Sequence, residues 1–265
     1  MITNPTILPL EVKDLCFEAR GKRLVKDANF TIEAGSRTMI LGANGAGKSL
    51  MLRLCHGLLD PLKGDVSWNG DTSFSKATRE RQAMVFQRPV MLRRTALANI
   101  EYALSLRKVP QAEREDRAYS VLKKVGLGRL AQQPARVLSF GEQQRLAMAR
   151  AWAIDPDVLF LDEPSASLDP SATHSIEETI EAIAAGGATI IMTTHDLGQA
   201  KRLGTDVMFL HRGRILEKAK AADFFEEPKN DLAQAFVRGD LLWWKRKDPY
   251  PGGGIDERVV RNKAD

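Results

Sequence analysis

Residues 42–49 read GANGAGKS, a run whose residue types and spacing suit the binding of a phosphate group. The run fits the pattern G-x-x-x-x-G-K-[ST] and joins an apolar stretch to a stretch of helical periodicity, as that pattern requires. Glycines let backbone N–H groups curve around a phosphate, and the start of a helix adds a positive field. We expect Lys48 to reach the β- and γ-phosphates and the hydroxyl of Ser49 to bind Mg²⁺. The predicted nucleotide contacts are Gly42, Ala43, Asn44, Gly45, Ala46, Gly47, Lys48, Ser49 and Leu50.

Two adjacent carboxylates, Asp162 and Glu163, follow the apolar stretch VLFL and indicate what happens to the nucleotide. In-line phosphoryl transfer needs mainly positioning and neutralisation of charge. We expect Asp162 to hold Mg²⁺ through water and Glu163 to orient and deprotonate an attacking water molecule. An acidic pair after a strand also suits a helix cap, but its combination with the phosphate loop favours phosphoryl transfer to water.

Gln87 and His195 end two further apolar stretches, AMVFQ and MTTH. A lone histidine at the end of a strand is usually a structural hydrogen-bonding group. A glutamine that closes a buried strand can equally act as a cap. The residues alone therefore leave both roles open.

The elements that must position these groups follow the pattern of an α/β protein, in which short apolar strands alternate with amphipathic helices. Buried strands are predicted at 37–42, 82–87, 157–164 and 188–196. The stretches EVKDLCFEA and DANFTIEAG alternate in polarity and predict an antiparallel edge sheet. Residues 95–155 have helical spacing and no strand, which predicts an inserted helical subdomain. The predicted fold is a P-loop NTPase core, with a mostly parallel sheet and helices on both faces.

This pattern also predicts the organisation of the chain. We expect one nucleotide-binding domain over residues 1–240, with its α/β core at about 7–90 and 155–240 and its helical subdomain at about 91–154. After residue 240 the chain has a Pro-Gly run and mixed charges. Residues 241–265 are therefore predicted to be a partly disordered tail.

Composition excludes several classes of function. The chain has 39 basic and 34 acidic residues, an excess too small and too scattered to indicate a nucleic-acid-binding protein. Its two cysteines have no metal-binding spacing and favour a reducing compartment. The first residues do not read as a signal peptide, and no window has 18 consecutive apolar residues, so no membrane span is predicted. We expect a protein without membrane spans of its own, and such a protein can still dock on a membrane protein.

The motifs in their order along the chain resemble the nucleotide-binding subunit of an ATP-binding cassette (ABC) transporter. The resemblance rests on GANGAGKS, Gln87, LSFGEQQR at 138–145, VLFLDEP, SASLD at 165–169 and His195, and it extends from about Leu10 to Phe236. The LSFGEQQR element, called the signature below, is the most specific of them because other P-loop ATPases lack it.

The resemblance implies roles that the residues alone left open. Two subunits of this family pair head to tail around two ATP molecules, and the signature of one completes the site of the other. It implies that Ser139, Gly141 and Glu142 contact the partner's nucleotide, near the positive start of a helix. It also implies that His195 contacts the γ-phosphate, and that Gln87 binds Mg²⁺ and reports the nucleotide state to the helical subdomain. By the same resemblance, Glu163, His195, Lys48 and Gln87 form the catalytic set.

Three departures from the family pattern bear on the site. Glu142 replaces the usual glutamine of the signature, and a carboxylate in the first turn of a helix is favourable. Phe140 replaces a glycine of the signature, where a positive φ would strain it, and we expect the position to tolerate a side chain. Ala19 stands where the family has an aromatic residue that stacks on adenine, with Phe17 or Arg20 as possible substitutes.

A separate ATPase chain of this kind resembles prokaryotic import ATPases. Its sequence is most similar to those of ATPases that import tungstate and related oxyanions. The resemblance implies permease subunits as partners, an extracytoplasmic solute-binding protein as an indirect partner, and a place on the cytoplasmic face of the membrane. Residues 88 and 90–94 give a basic and apolar face for docking on the permease, although a solvated basic loop over core residues is an equal alternative. A soluble ABC ATPase that moves no solute, for example in cluster assembly, remains the alternative function.

Overall fold

The computed structural model describes residues 6–72 and 74–240, so the predicted tail at 241–265 lies outside the described residues. The strands are β1 Leu10–Ala19, β2 Lys22–Ile32, β3 Arg37–Leu41, β4 Lys63–Trp68, β5 Gln82–Val85, β6 Val158–Asp162, β7 Thr189–Thr193, β8 Asp206–His211 and β9 Arg214–Lys220. The helices are α1 Lys48–His56, α2 Lys76–Glu80, α3 Ala96–Leu106, α4 Gln111–Lys124, α5 Phe140–Ala153, α6 Pro170–Ala185, α7 Leu197–Leu203, α8 Ala221–Glu226 and α9 Asp231–Val237. Two short 3₁₀ turns precede α5, at Gly128–Leu130 and Ala135–Val137.

The central layer is a six-stranded sheet with the order β5-β6-β7-β3-β8-β9. Its first five strands are parallel, and β9 pairs with β8 antiparallel. Every residue of β6 and of β7 is buried, because a parallel sheet is covered on both faces. The predicted mostly parallel sheet is confirmed.

A second, three-stranded antiparallel sheet with the order β2-β1-β4 packs against one face of the core. One hydrophobic cluster fills the space between this sheet, α1 and the central sheet, where Phe160 and Trp68 meet edge to face with ring centroids 6.1 Å apart. The other cluster joins the opposite face of the central sheet to α3–α9. Helices therefore cover both faces, and the predicted fold class is confirmed.

Three helices, α3, α4 and α5, lie between β5 and β6 in the chain and form the helical insertion. Each begins after a residue that suits a helix start: Thr95 and Ser139 accept hydrogen bonds at the first turns of α3 and α5, and Pro110 precedes α4. Of the helices in the described ranges, none has the length and apolarity needed to cross a bilayer.

The sheet order explains how distant motifs come together. Strands β5, β6, β7 and β3 are parallel neighbours, so their carboxyl ends share one edge of the sheet. Gln87, Asp162, His195 and Gly42 each lie at the end of one of these strands or shortly after it. Ligands of open α/β sheets bind at that edge.

Candidate nucleotide-binding site

The phosphate loop runs from β3 to α1 in a conformation that two of its glycines make possible. Gly42 has φ 151°, and a Cβ atom built there would lie 2.1 Å from the backbone oxygen of Leu210. Gly47 has φ 105° and precedes α1 as its N-cap, where it offers no side chain to cap the first turn. Backbone N–H groups at the start of α1 are thus left facing a ligand, and a positive helix end lies behind them.

Lys48 is held in place by backbone carbonyl groups of the loop and by a carboxylate. Its Nζ donates to the carbonyl oxygens of Gly42 at 2.9 Å and Ala43 at 3.4 Å, and it lies 3.3 Å from Oε1 of Glu163. Only 5% of the Lys48 side chain is exposed. The cation is therefore fixed at the end of the loop where an anion would be bound.

Ser49, Asp162 and Thr193 form a chain of oxygen atoms behind the loop. The hydroxyl of Ser49 donates to Oδ1 of Asp162 at 2.7 Å, and the hydroxyl of Thr193 donates to the same oxygen at 2.9 Å. Asp162 is buried and has Thr193 as its register partner on β7. Thr193 could not be found from the sequence, because only the pairing of β7 with β6 brings it to Asp162.

Glu163 adopts a strained backbone conformation with φ 46°, in the left-handed region that side chains seldom occupy. Its N–H donates to the carbonyl and to the hydroxyl of Thr193, at 3.1 and 3.0 Å. Oε2 of Glu163 lies 3.1 Å from Nδ1 of His195, while Oε1 faces Lys48. Asp162 and Glu163 do not cap a helix, because α6 begins seven residues after Glu163 and is capped by Asp169.

A cavity of about 690 Å³ opens over these groups, a size within the usual range for small-molecule sites. It is lined by the loop residues 44–50 together with Gln87, Glu163 and His195. The structure thus places Gln87 and His195, whose roles the sequence alone left open, in one cavity with the phosphate loop. Leu24 of β2 also lines the cavity, whereas Phe17 and Arg20, the two substitutes considered for the adenine contact, do not line it.

The residues present fit ATP and Mg²⁺. The loop offers backbone donors and one buried cation to a phosphate chain, and Ser49 places a hydroxyl in the cavity with Asp162 directly behind it. No group of three or more His, Cys, Asp or Glu side chains converges anywhere in residues 6–72 and 74–240. Mg²⁺ usually takes one or two protein oxygens and completes its shell with water and phosphate oxygens, and Ser49 and Asp162 offer such oxygens here.

The signature residues lie in a different place from the phosphate loop. Ser139, Gly141 and Glu142 line a second cavity, of about 470 Å³, together with Asp169. Ser167 lines this cavity and the nucleotide cavity as well. Within one chain the signature therefore does not face its own phosphate loop across a shared cavity.

Ser139 and Glu142 form a capping box at the start of α5. Oε2 of Glu142 accepts from both the backbone N–H and the hydroxyl of Ser139, each at 2.8 Å. These hydrogen bonds, first of all that from the Ser139 hydroxyl, lower the pKa of the Glu142 carboxyl below its ordinary value. Phe140 is the first residue of α5, and its φ is not positive. The replacement of glycine at this position therefore causes no backbone strain.

Comparison with known proteins gives a consistent result. The family model described as ABC transporter matches residues 25–166. The phosphate import ATP-binding protein PstB 2 of Natronomonas pharaonis is 32% identical over 84% of this chain and 84% of its own. The methionine import ATP-binding protein MetN of Ligilactobacillus salivarius is 35% identical over 89% of this chain and 71% of its own. The tungstate uptake system ATP-binding protein TupC of Peptoclostridium acidaminophilum is 36% identical over 79% of this chain and 98% of its own.

Solved structures agree with the fold. CbiO1 from Clostridium perfringens, described as part of the ABC transporter complex cbiONQ, superposes with a TM-score of 0.76 at 29% identity, over 89% of this chain and 96% of its own. The ATP-binding cassette MJ0796, solved as a dimer in a post-hydrolysis state with ADP and Pi, gives 0.73 at 28% identity, over 80% and 98%. With the phosphate loop, carboxylate pair and signature in this arrangement, the chain belongs to the ABC transporter family as an ATP-binding subunit that hydrolyses ATP with Mg²⁺.

Proposed function

We propose that this chain is the ATPase of an importer, that it works as a head-to-tail pair of identical chains, and that its cargo is an oxyanion such as tungstate. The observation that carries the cargo proposal is the tungstate uptake relative, which is matched over 98% of its length at 36% identity. A phosphate import relative adds a second oxyanion. The methionine relative, at 35% identity, supports import in general.

The geometry supports a separate role in hydrolysis for each of these side chains. Lys48 and the loop N–H groups hold the phosphate chain, and Ser49 with Asp162 holds the metal ion. Mg²⁺, when bound, neutralises negative charge on the phosphate oxygens. Glu163 lies at the cavity wall with its carboxylate fixed between Lys48 and His195, which suits a base that orients water and takes its proton.

Head-to-tail pairing is supported by the separation of the two cavities. Ser139 and Gly141 lie at the start of α5, where backbone N–H groups and the helix dipole favour an anion. A second copy of the chain would bring its nucleotide to that start, and the relative MJ0796 was solved as a dimer. ATP between the two chains would close them, and hydrolysis with release of phosphate would open them again.

Docking on a permease is supported by the loop that follows Gln87. Arg88, Arg93 and Arg94 are exposed, and Val90 has 70% of its surface exposed. Met91, which was predicted to belong to this face, is only 5% exposed and packs in the core beneath it. The proposed docking face is therefore basic with Val90 as its apolar centre, and it would place the chain on the cytoplasmic side of the membrane.

The experiment is affinity purification of the tagged Glu163→Gln chain from detergent-solubilised native membranes with ATP and Mg²⁺. We expect a permease with several membrane spans among the proteins that come with it. The solute-binding protein encoded with that permease would then be titrated with tungstate, molybdate, phosphate and methionine. Binding of methionine but of no oxyanion would overturn the cargo proposal, and recovery of only soluble assembly proteins would favour the non-transport ABC ATPase.

A further inference from the structure

Glu142 lies at the start of α5, where the proposed pairing brings the partner's phosphate. The hydroxyl of Ser139 has one proton, and it donates that proton to Oε2 of Glu142 at 2.8 Å. The N–H of Ser139 donates to the same oxygen, also at 2.8 Å. In return, the hydroxyl oxygen accepts from the N–H of Glu142 at 3.4 Å. The proton of this hydroxyl is therefore committed to a carboxylate of its own chain.

The carboxylate also brings negative charge to a cavity that is proposed to take an anion. Glu142 lines the cavity of about 470 Å³ at the signature. The hydrogen bonds from Ser139 lower the pKa of Glu142, so the carboxyl group is ionised at neutral pH. Asp169 adds a second carboxylate to the lining, while Arg145 adds a guanidinium. The signature thus holds an anion of its own at the place proposed for the partner's phosphate.

A glutamine at this position would leave the hydroxyl proton available, although its side chain has almost the same shape. Its amide oxygen can accept from the N–H of Ser139, as the carboxylate does. Its amide N–H can donate to the hydroxyl oxygen, so that the hydroxyl proton can go to a phosphate oxygen. The amide also carries no charge that repels a phosphate. The choice between glutamate and glutamine therefore affects phosphate binding more than it affects the helix cap.

We propose that Glu142 is a latch that holds the hydroxyl of Ser139 and opposes the approach of the partner's γ-phosphate. The inference rests on the proposed head-to-tail pairing. For the pair to close, Ser139 must exchange its hydrogen bond to Glu142 for one to the phosphate. Because a hydrogen bond to a charged group is stronger than one to a neutral group, this exchange raises the ATP concentration that pairing requires. When the γ-phosphate leaves after hydrolysis, Glu142 recovers the hydroxyl, which favours reopening of the pair.

The test measures the ATP concentration that gives half-maximal pairing of chains that carry Glu163→Gln. Pairing is followed by light scattering during size-exclusion chromatography, with Mg²⁺ and a series of ATP concentrations in the running buffer. We expect Glu142→Gln to lower the half-maximal concentration roughly 10-fold, the lower end of what one hydrogen bond to a charged group contributes. Glu113→Gln is the matched control, because Glu113 lies in the first turn of α4 and does not line the signature cavity. The control should need the same ATP concentration as the parent chain.

Two further variants show whether the carboxylate acts through Ser139. Glu142→Ala removes the latch together with the capping box, so we expect tighter pairing than in the parent chain despite lower stability in urea. In a chain with Ser139→Ala, Glu142→Gln should bring a smaller gain, because no hydroxyl remains to be released. An equal gain with and without the hydroxyl would overturn the latch. Weaker pairing in both Glu142 variants would also overturn it, since the carboxylate would then support the phosphate contact.

Salt gives a readout that a merely structural role of Glu142 would not change. Added NaCl screens the charge of a partly exposed carboxylate, so it should narrow the difference in ATP requirement between the parent chain and Glu142→Gln. The same titrations separate failure of the latch from failure of the proposed function. Equal ATP requirements in the parent chain and in both Glu142 variants would overturn the latch alone. No ATP-dependent pairing in any chain, although each binds ATP, would remove the head-to-tail proposal and the latch with it.

Discussion

The ammonium group of Lys48 lies 3.3 Å from Oε1 of Glu163, and the other oxygen of that carboxylate lies 3.1 Å from the ring of His195. The carboxylate is thereby fixed between two donors, and 85% of the Glu163 side chain is shielded from solvent, since its exposed fraction is 15%. One residue earlier, Asp162 faces Ser49. A left-handed turn at Glu163 separates the two carboxylates, which suits the roles proposed for them, Asp162 toward the metal ion and Glu163 toward water.

Glu163→Gln should abolish turnover and keep ATP binding. The amide has nearly the same shape but takes no proton from water, and loss of a general base typically costs about 10²- to 10⁴-fold in rate. The measurement is phosphate release at saturating ATP, together with equilibrium binding of ATP. Glu178→Gln is the control, because that glutamate is 66% exposed on α6 and should be dispensable. Hydrolysis near the normal rate would remove Glu163 from its proposed role.

The fold and the phosphate loop were predictable because each depends on local pattern. The GANGAGKS run needs glycine for its own backbone conformation, and Gly47 illustrates why, since its φ of 105° is one that side chains seldom allow. Apolar stretches that end in polar residues predicted the strands, and parallel strands place those ends at one edge. Asp162, Glu163 and the loop could therefore be assigned to one site before any coordinates were known.

The rest of the site depends on contacts between segments that are distant in sequence. Thr193 bonds Asp162 across 31 residues, and nothing in MTTH distinguishes its first threonine from the second. The partner of His195 was equally hidden, because the end of a strand shows no sign of what faces it. Met91 was placed on the docking face because it lies in the basic and apolar run after Gln87, but it packs into the core.

Lys48→Ala should weaken ATP binding about 10- to 100-fold, the usual effect of losing hydrogen bonds to a charged group. The reason is that Lys48 is the buried cation of the loop, held by the carbonyls of Gly42 and Ala43. Binding is measured by titration with a fluorescent ATP analogue and with ATP itself. Lys76→Ala is a suitable control because Lys76 is 78% exposed. ATP affinity and turnover unchanged in the Lys48 variant would show that this side chain makes no phosphate contact.

Ser139→Ala tests whether the signature acts on the partner's nucleotide. The variant chain alone should lose about 10-fold or more in hydrolysis, because both sites of the pair lack a phosphate contact. It is then mixed with the Lys48→Ala chain, which lacks a working loop and keeps its signature. Head-to-tail pairing gives each mixed pair one complete site, made from the loop of one chain and the signature of the other. Activity of the mixture should exceed that of either variant several-fold, whereas a signature that served its own chain would give no recovery.

Glu142 should make the start of α5 sensitive to acid. Its pKa is lowered by hydrogen bonds from Ser139, so the folded chain binds that proton less readily than the unfolded chain. The resulting stabilisation is fully present above the ordinary carboxyl pKa and is lost as the pH falls through the lowered one. Since the carboxylate is near the surface, we expect only about 0.5–1 kcal/mol, the usual worth of a helix cap.

The measurement is the free energy of unfolding by urea for the unaltered chain and for Glu142→Ala, at several pH values from neutral down to well below the ordinary carboxyl pKa. Subtracting the two curves removes the titration of all other carboxylates, so the difference isolates the capping box. It should be constant from neutral pH down to the ordinary carboxyl pKa and then shrink as the pH falls through the lowered pKa of Glu142, because a protonated Glu142 accepts less strongly from the Ser139 N–H. Glu101→Ala, a substitution inside α3, should give a difference that does not vary with pH in this way. A difference for Glu142→Ala that stays constant over the whole pH range would mean that the charge of Glu142 does not stabilise the start of α5.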